Sequence, residues 1–255
     1  MALSEFSIKY HEIMFPGFDL TAPGPDSEFV ERFDNFAFDE VINHPGLELS
    51  DHDRWLAILA CLIGCQGIDE YKLMGPAALR FGVTPAELKE MVYQATAYVG
   101  MGRMFPFLRA SNEILKGAGV EQPLPGRQTT TEENRRAEGN RCQVEIFGEG
   151  MRESWKTAPE ETRHISVWLA ENCFGDFYTR TGLDLKQREM ITFCFLAAQG
   201  GCEPQLTAHA VGNMRLGNDR AYLIRIVSAM LPFIGYPRSL NAIECVRKAA
   251  EQMNA

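Results

Sequence analysis

The segment Arg188–Arg238, REMITFCFLAAQGGCEPQLTAHAVGNMRLGNDRAYLIRIVSAMLPFIGYPR, decides how the chain is read. An apolar helix runs into Gly200-Gly201, and a polar elbow with Cys202, Glu203 and Gln205 follows. A second helix carries His209 and stops at Gly217; a third, apolar helix ends at Gly235, ahead of Pro237-Arg238. Glycine closes helices because it alone enters the left-handed region at no steric cost. His209 has an acid, a thiol and two arginines near it in sequence, and imidazole titrates near neutral pH. A catalytic centre is expected here.

Working outward, the same pattern occurs earlier in the chain. Asn35 and Asp39 pair with Asn172 and Asp176, and Pro45-Gly46-Leu47-Glu48-Leu49 with Thr181-Gly182-Leu183-Asp184-Leu185. Arg54 pairs with Arg188, Gln66-Gly67 with Gln199-Gly200, and Gly82 with Gly217. Gly100-Met101-Gly102-Arg103 pairs with Gly235-Tyr236-Pro237-Arg238. The offset stays between 133 and 137 residues and drifts only at expected turns. Neither half shows the period-2 alternation of strands, so the chain reads as an all-α tandem duplication. His209 falls on Met74, while Gln94 and Tyr98 fall on Ala229 and Phe233. One half can therefore be catalytic and the other structural, or the two can combine across their interface.

The expected division is an irregular arm over residues 1–27, a first module over 28–115, a linker over 116–140 and a second module over 141–255. Pro16-Gly17 and Ala22-Pro23-Gly24-Pro25 break the arm, and Gly117, Gly119, Pro123 and Pro125-Gly126 open the linker. Within the first module an amphipathic helix begins at Ser27. Asp51-His52-Asp53 starts another helix, apolar nearly all round from Arg54 to Gly64 and so expected to be buried. Asp69–Phe81 forms the next. Thr84-Pro85-Ala86-Glu87 then reads as a capping box with proline at the first helical position, and that helix stops at Gly100.

The chain has 255 residues, 45% of them hydrophobic, enough for a sizeable core. A formal net charge of −9 and a pI near 5.2 argue against a nucleic-acid surface. The longest apolar runs, Trp55–Cys65 and Met190–Ala198, fall short of the roughly 18 residues of a membrane span. The first residues, MALSEFSIKYHEIMF, lack a basic stretch followed by an apolar core. Seven cysteines, several within apolar helical patterns, fit free thiols in a reducing compartment. A cytoplasmic protein is expected. Cys61 and Cys65, four apart on one helix face, suit core packing better than a disulfide. No His/Cys grouping has ligand spacing, so no metal is expected.

The combination Arg188, Gln205-Leu206, His209, Gly217 and Leu231-Pro232-Phe233-Ile234-Gly235-Tyr236-Pro237-Arg238 resembles the carboxymuconolactone decarboxylase-like family. Gly82-Val83-Thr84-Pro85-Ala86-Glu87 with Gln94 and Tyr98-Val99-Gly100 is similar to the same module. The resemblance covers roughly residues 30–115 and 165–250. It implies an all-helical homo-oligomer, a trimer of double modules or a similar ring, acting on a small molecule without metal or organic cofactor. In its decarboxylase branch a lactone acid loses carbon dioxide as a double bond moves, and the helix histidine matched by His209 is the candidate for proton transfer. Its alkylhydroperoxidase D-type branch uses a glutamate, a Cys-x-x-Cys pair and a histidine four residues later. Here those cysteine positions are Cys202 and Gln205, and the glutamate falls near Met190, one residue beyond Glu189; Gly67 and Glu70 are the matching elbow positions of the first repeat.

The expected site therefore has His209 as general acid/base, Glu203 as the acid nearest in sequence to orient it, and Cys202 as a candidate thiolate at a helix start. Arg188 and Arg238 are candidates for bidentate capture of a substrate carboxylate, with Gln205 beside them on the elbow. The leading expectation is a decarboxylase-like enzyme on a small unsaturated acid or lactone. A thiol peroxidase using Cys202 and a non-catalytic oligomeric binding module are the alternatives.

Overall fold

A computed structural model of the chain describes residues 2–19, 22 and 24–254. Among them only helices and connecting turns occur. In the first module α1 (Glu5–Met14) leads to α2 (Ser27–Asn35), whose axis continues through a π-helical stretch, Phe36–Glu40, into α3 (Val41–Asn43). Then come α4 (Asp51–Gly64), α5 (Ile68–Arg80), α6 (Pro85–Val99) and α7 (Met101–Gly117). The second module repeats the order with α8 (Arg135–Phe147), α9 (Arg163–Trp168) running into a π-helical stretch Leu169–Tyr178, α10 (Leu185–Gln199), α11 (Glu203–Arg215) and α12 (Arg220–Met253). The chain is a tandem all-α duplication. Both copies carry the π-helical widening at matching positions.

The caps explain the boundaries. Thr84 and Glu87 make the expected capping box under Pro85, satisfying two amides that the first turn of α6 leaves unpaired. Asp184 and Gln187 repeat the device at α10. Gln66, at φ 64°, forms the elbow after α4.

Two expectations are corrected. Residues 5–14 are helical, not an irregular arm: Ser4 caps α1, and Tyr10 and Met14 are buried in the core. Of the expected breakers there, Pro23 lies outside the described residues. Helix α8 begins at Arg135, inside the expected linker, because residues 135–147 bury Gly139, Cys142 and Ile146 on one face. The apolar helix expected to stop at Gly235 does stop there. Gly235, at φ 75°, breaks α12 at the place where Gly100 separates α6 from α7, and helix continues to Met253.

The two modules interlock. Helices α4 and α10 pack against each other at the centre, α6 of the first module lies against α10 of the second, and α12 of the second lies against α4 of the first. Central helices enclosed in this way have no solvent face, which is why both are apolar nearly all round. A smaller apolar cluster, built from Cys142, Ile146, Cys173, Phe174 and Tyr178, sits where α8 crosses the π-helical stretch. No described helix is long and apolar enough to cross a membrane.

Candidate functional site

Helix α11 presents His209 toward α10, where Glu189 lies wholly buried in the first turns. His209 Nδ1 is 2.8 Å from Glu189 Oε2. Close approach of the two helices requires Gly212: a Cβ there would lie 2.8 Å from Glu189 Oε2 and 2.7 Å from the Ile146 side chain. Asn213 ties the same turn together, its amide donating to the carbonyls of Glu189 at 2.9 Å and His209 at 2.8 Å. Rings of Tyr98 and Phe147 flank the imidazole edge-on, at centroid distances of 5.6 and 5.3 Å. The histidine is 9% exposed, and among the described residues its Nε2 meets no hydrogen-bond partner. One nitrogen is fixed by the carboxylate and the other is left without a partner.

Behind the carboxylate runs a buried hydroxyl chain. Tyr178 donates to Glu189 Oε1 at 2.8 Å. Having spent its only proton there, Tyr178 must accept from its two other neighbours, Thr192 Oγ1 at 2.6 Å and Tyr98 Oη at 2.7 Å. Cys173 Sγ in turn faces Tyr98 Oη at 3.7 Å, and Gln94 donates to Thr192 at 2.9 Å. Every arrow points toward Glu189. Burial holds the Tyr98 and Tyr178 hydroxyls well above the ordinary phenol range, and lifts the Cys173 thiol to about 12. These groups therefore keep their protons at neutral pH and act as donors. Gln94 and Tyr98 come from α6, so the first module supplies part of the site.

Each residue expected from the sequence has a definite place. His209 is at the centre. Arg188 is fully buried: it donates to Gln94 Oε1 at 2.8 Å, Glu90 Oε2 at 3.1 Å and the Arg180 carbonyl at 2.8 Å, while its Nε is without a partner. It braces Gln94 from a position closed to solvent. Arg238 bonds to the Ala198 carbonyl, nine residues or about 13 Å along α10 from Glu189. Cys202 lies near the same end, donating to the Leu196 carbonyl at 3.4 Å, and burial pushes its thiol up rather than toward thiolate. Glu203 is half-buried in the first turn of α11, and the acid that holds His209 is Glu189 instead. Gln205 is exposed one turn before His209 on the same helix, so it can overlook the imidazole edge.

Sequence reasoning missed Glu189, Tyr178 and Thr192 as members of the site. Glu189 did leave a signal, because a lone carboxylate inside a helix destined for full burial needs a partner.

A sequence profile of the Carboxymuconolactone decarboxylase family matches residues 27–113 and 167–248, one module each. The chain belongs to that family. A similar relative, the 4-carboxymuconolactone decarboxylase of Acinetobacter baylyi, is 30% identical over 95 residues, covering 37% of this chain and 69% of that protein. Within the family fold, the second module's histidine and the first module's Gln94 and Tyr98 meet around a single carboxylate, Glu189.

Proposed function

We propose that the chain is a decarboxylase acting on a small unsaturated acid or lactone, with His209 moving the proton. The observation that carries this reading is the buried Glu189 carboxylate at 2.8 Å from His209 Nδ1, with Nε2 left unpartnered. A carboxylate so placed fixes the tautomer and ring orientation and stabilises the imidazolium during transfer. In the reaction, the bond to the departing carboxylate breaks and its electron pair moves into the adjacent conjugated system. The imidazolium form of His209, its Nδ1–H held by Glu189, delivers its Nε2 proton to the carbon where that charge collects, and the neutral imidazole that remains takes a new proton from solvent. Aromatic rings of Tyr98 and Phe147 on either side keep water from the imidazole. The neutral hydroxyls behind Glu189 hold its charge in place without competing for the proton. Glu189 acts through His209 and is a positioning residue.

The test is carbon dioxide release and ultraviolet absorbance on a panel of unsaturated lactone acids, beginning with 4-carboxymuconolactone. His209→Gln is expected to lower kcat by roughly 10²- to 10⁴-fold on any substrate that the wild type turns over. Glu189→Gln should lower kcat less, because the imidazolium loses its counter-charge but His209 remains. Wild-type turnover by His209→Gln would sink the reading.

A peroxidase reading rests on Cys202 together with Cys245, a neighbouring thiol whose charge it would feel. Rapid, selective pairing of these two cysteines under stoichiometric peroxide, followed by mass spectrometry, would favour it over decarboxylation. A protonated, half-buried Cys202 predicts slow oxidation.

A further inference from the structure

The position of the first module that corresponds to the His209 site is not filled in. Met74, the counterpart of His209, and Phe233, the counterpart of Tyr98, line a cavity of about 570 Å³. Six phenylalanines, from Phe15 to Phe233, line it, with Phe18 and Phe29 exposed at the rim. Among this apolar surface stand two carboxylates, Asp34 from α2 and Glu70 from α5.

Asp34 is 6% exposed, and its Oδ2 is buried without a hydrogen-bond partner. The nearest basic group, His11 Nε2 on α1, stands 4.0 Å away, beyond hydrogen-bonding distance. Burial favours the neutral form of His11, so it does not supply the missing charge. Helix α4 contributes Cys65 to the wall, whose thiol burial also keeps protonated, and α12 contributes only Pro232 and Phe233. The second module shows what this acid ordinarily requires. Glu171, which occupies the place of Asp34 there, is met by Arg136 at 2.6 Å and Arg135 at 3.9 Å. In the first module no arginine takes that role, and the cavity opens instead.

We propose that this cavity binds a small organic cation, a primary amine on an apolar or aromatic body. The ammonium would sit between Asp34 and Glu70, donating to the orphaned Oδ2, and the body would lie among the phenylalanines. Ammonium groups are attracted both to buried carboxylates and to aromatic rings, whereas a neutral or anionic ligand of the same shape gains neither interaction. A single unpaired acid, held up to about 6 by burial and by the nearby Glu70, is receptive to such a cation at neutral pH. The site is separate from the Glu189–His209 pair and stands or falls without it.

The experiment is calorimetric titration of the full chain with phenethylamine, cyclohexylmethylamine and butylamine, against 2-phenylethanol and phenylacetate as neutral and anionic isosteres. Saturable one-to-one binding of at least one amine is expected, at least roughly ten-fold tighter than either isostere, and weakening as pH falls through about 6. Asp34→Asn should cost at least about ten-fold in amine affinity, and Glu70→Gln, at a half-buried and less demanding position, a smaller factor. Met74→Trp should fill the cavity and abolish binding. Absence of saturable binding by all three amines would overturn the proposal. So would equal binding of 2-phenylethanol, or unchanged affinity in both Asp34→Asn and Glu70→Gln.

Discussion

The surroundings of His209 and of Met74 occupy equivalent places in the two modules and have opposite chemistry. Around His209 the positions hold Glu189, Thr192, Gln94 and Tyr98, every one of them hydrogen-bonded. Around Met74 the same positions hold Trp55, Ile58, Ala229 and Phe233. The backbone is common, down to the π-helical stretch and the glycine that breaks each C-terminal helix. What differs is whether a polar group, once placed, has every partner it needs. A buried network works only when complete, so the polar set is kept together around one site, with residues from both modules, and replaced together around the other. Asp34 stands apart, a buried acid in the apolar copy with its Oδ2 unanswered.

The arginine pair gives the sharpest way to test that contrast. Arg188 and Arg54 are repeat counterparts, both buried. Arg188 carries an ion pair to the buried Glu90, whereas Arg54 reaches only the Leu49 carbonyl at 3.4 Å and the half-exposed Asp51 at 3.7 Å. Arg188→Ala is expected to lose about 3–5 kcal/mol in chemical denaturation, and Arg54→Ala clearly less. Equal losses would mean that the ion pair adds nothing to burial of the side chain. Next is Gly212→Ala, which must push Glu189 from His209; about 1–3 kcal/mol of overpacking is expected, with turnover falling further than stability. Stability loss with intact turnover would break the link between Glu189 and the reaction.

Asp34→Asn should act in the other direction and raise Tm at neutral pH. The Asp34 carboxyl is raised from 3.8 to about 6 by burial first and Glu70 second. The unfolded chain loses that proton near the lower value and the folded chain near the higher. Its favourable contribution is thus complete below about pH 4 and lost as pH rises to 6 and beyond. The variant's gain, on the order of 2 kcal/mol above pH 7, should therefore vanish toward pH 4. A gain independent of pH would break this account. The smallest effect is expected from Cys202→Ser: less than about 0.5 kcal/mol and no change in lactone turnover. A large loss of turnover would return Cys202 to the reaction.

Much of the fold could be read directly. Thr84-Pro85-Ala86-Glu87 names its helix start through capping chemistry alone, and the glycines at 82, 100, 217 and 235 mark real left-handed turns. The interlocking is what sequence could not give. Local patterns say nothing about which module's central helix α6 will cover, so Gln94 and Tyr98 could be paired with Ala229 and Phe233 but not brought to Glu189. Glu189 gave one sign, as the lone carboxylate of a helix destined for burial, but that sign does not say which neighbour it faces. Glu203 was nearer to His209 in sequence, yet the carboxylate twenty positions upstream, across an antiparallel helix pair, is nearer in space.

Because α6 covers α10 and α12 covers α4, cleavage of the chain has a particular consequence. A nick between Gly117 and Arg135 would give two halves, each of which on its own loses the packing of α4 on α10 and the cover that the other half's α6 or α12 lays over its central helix. Neither fragment should stay folded alone, and mixing the two should restore helicity in a second-order step. The duplicated chain thereby behaves as a covalently tethered heterodimer, in which the loop supplies the effective concentration that two free modules would have to find by diffusion.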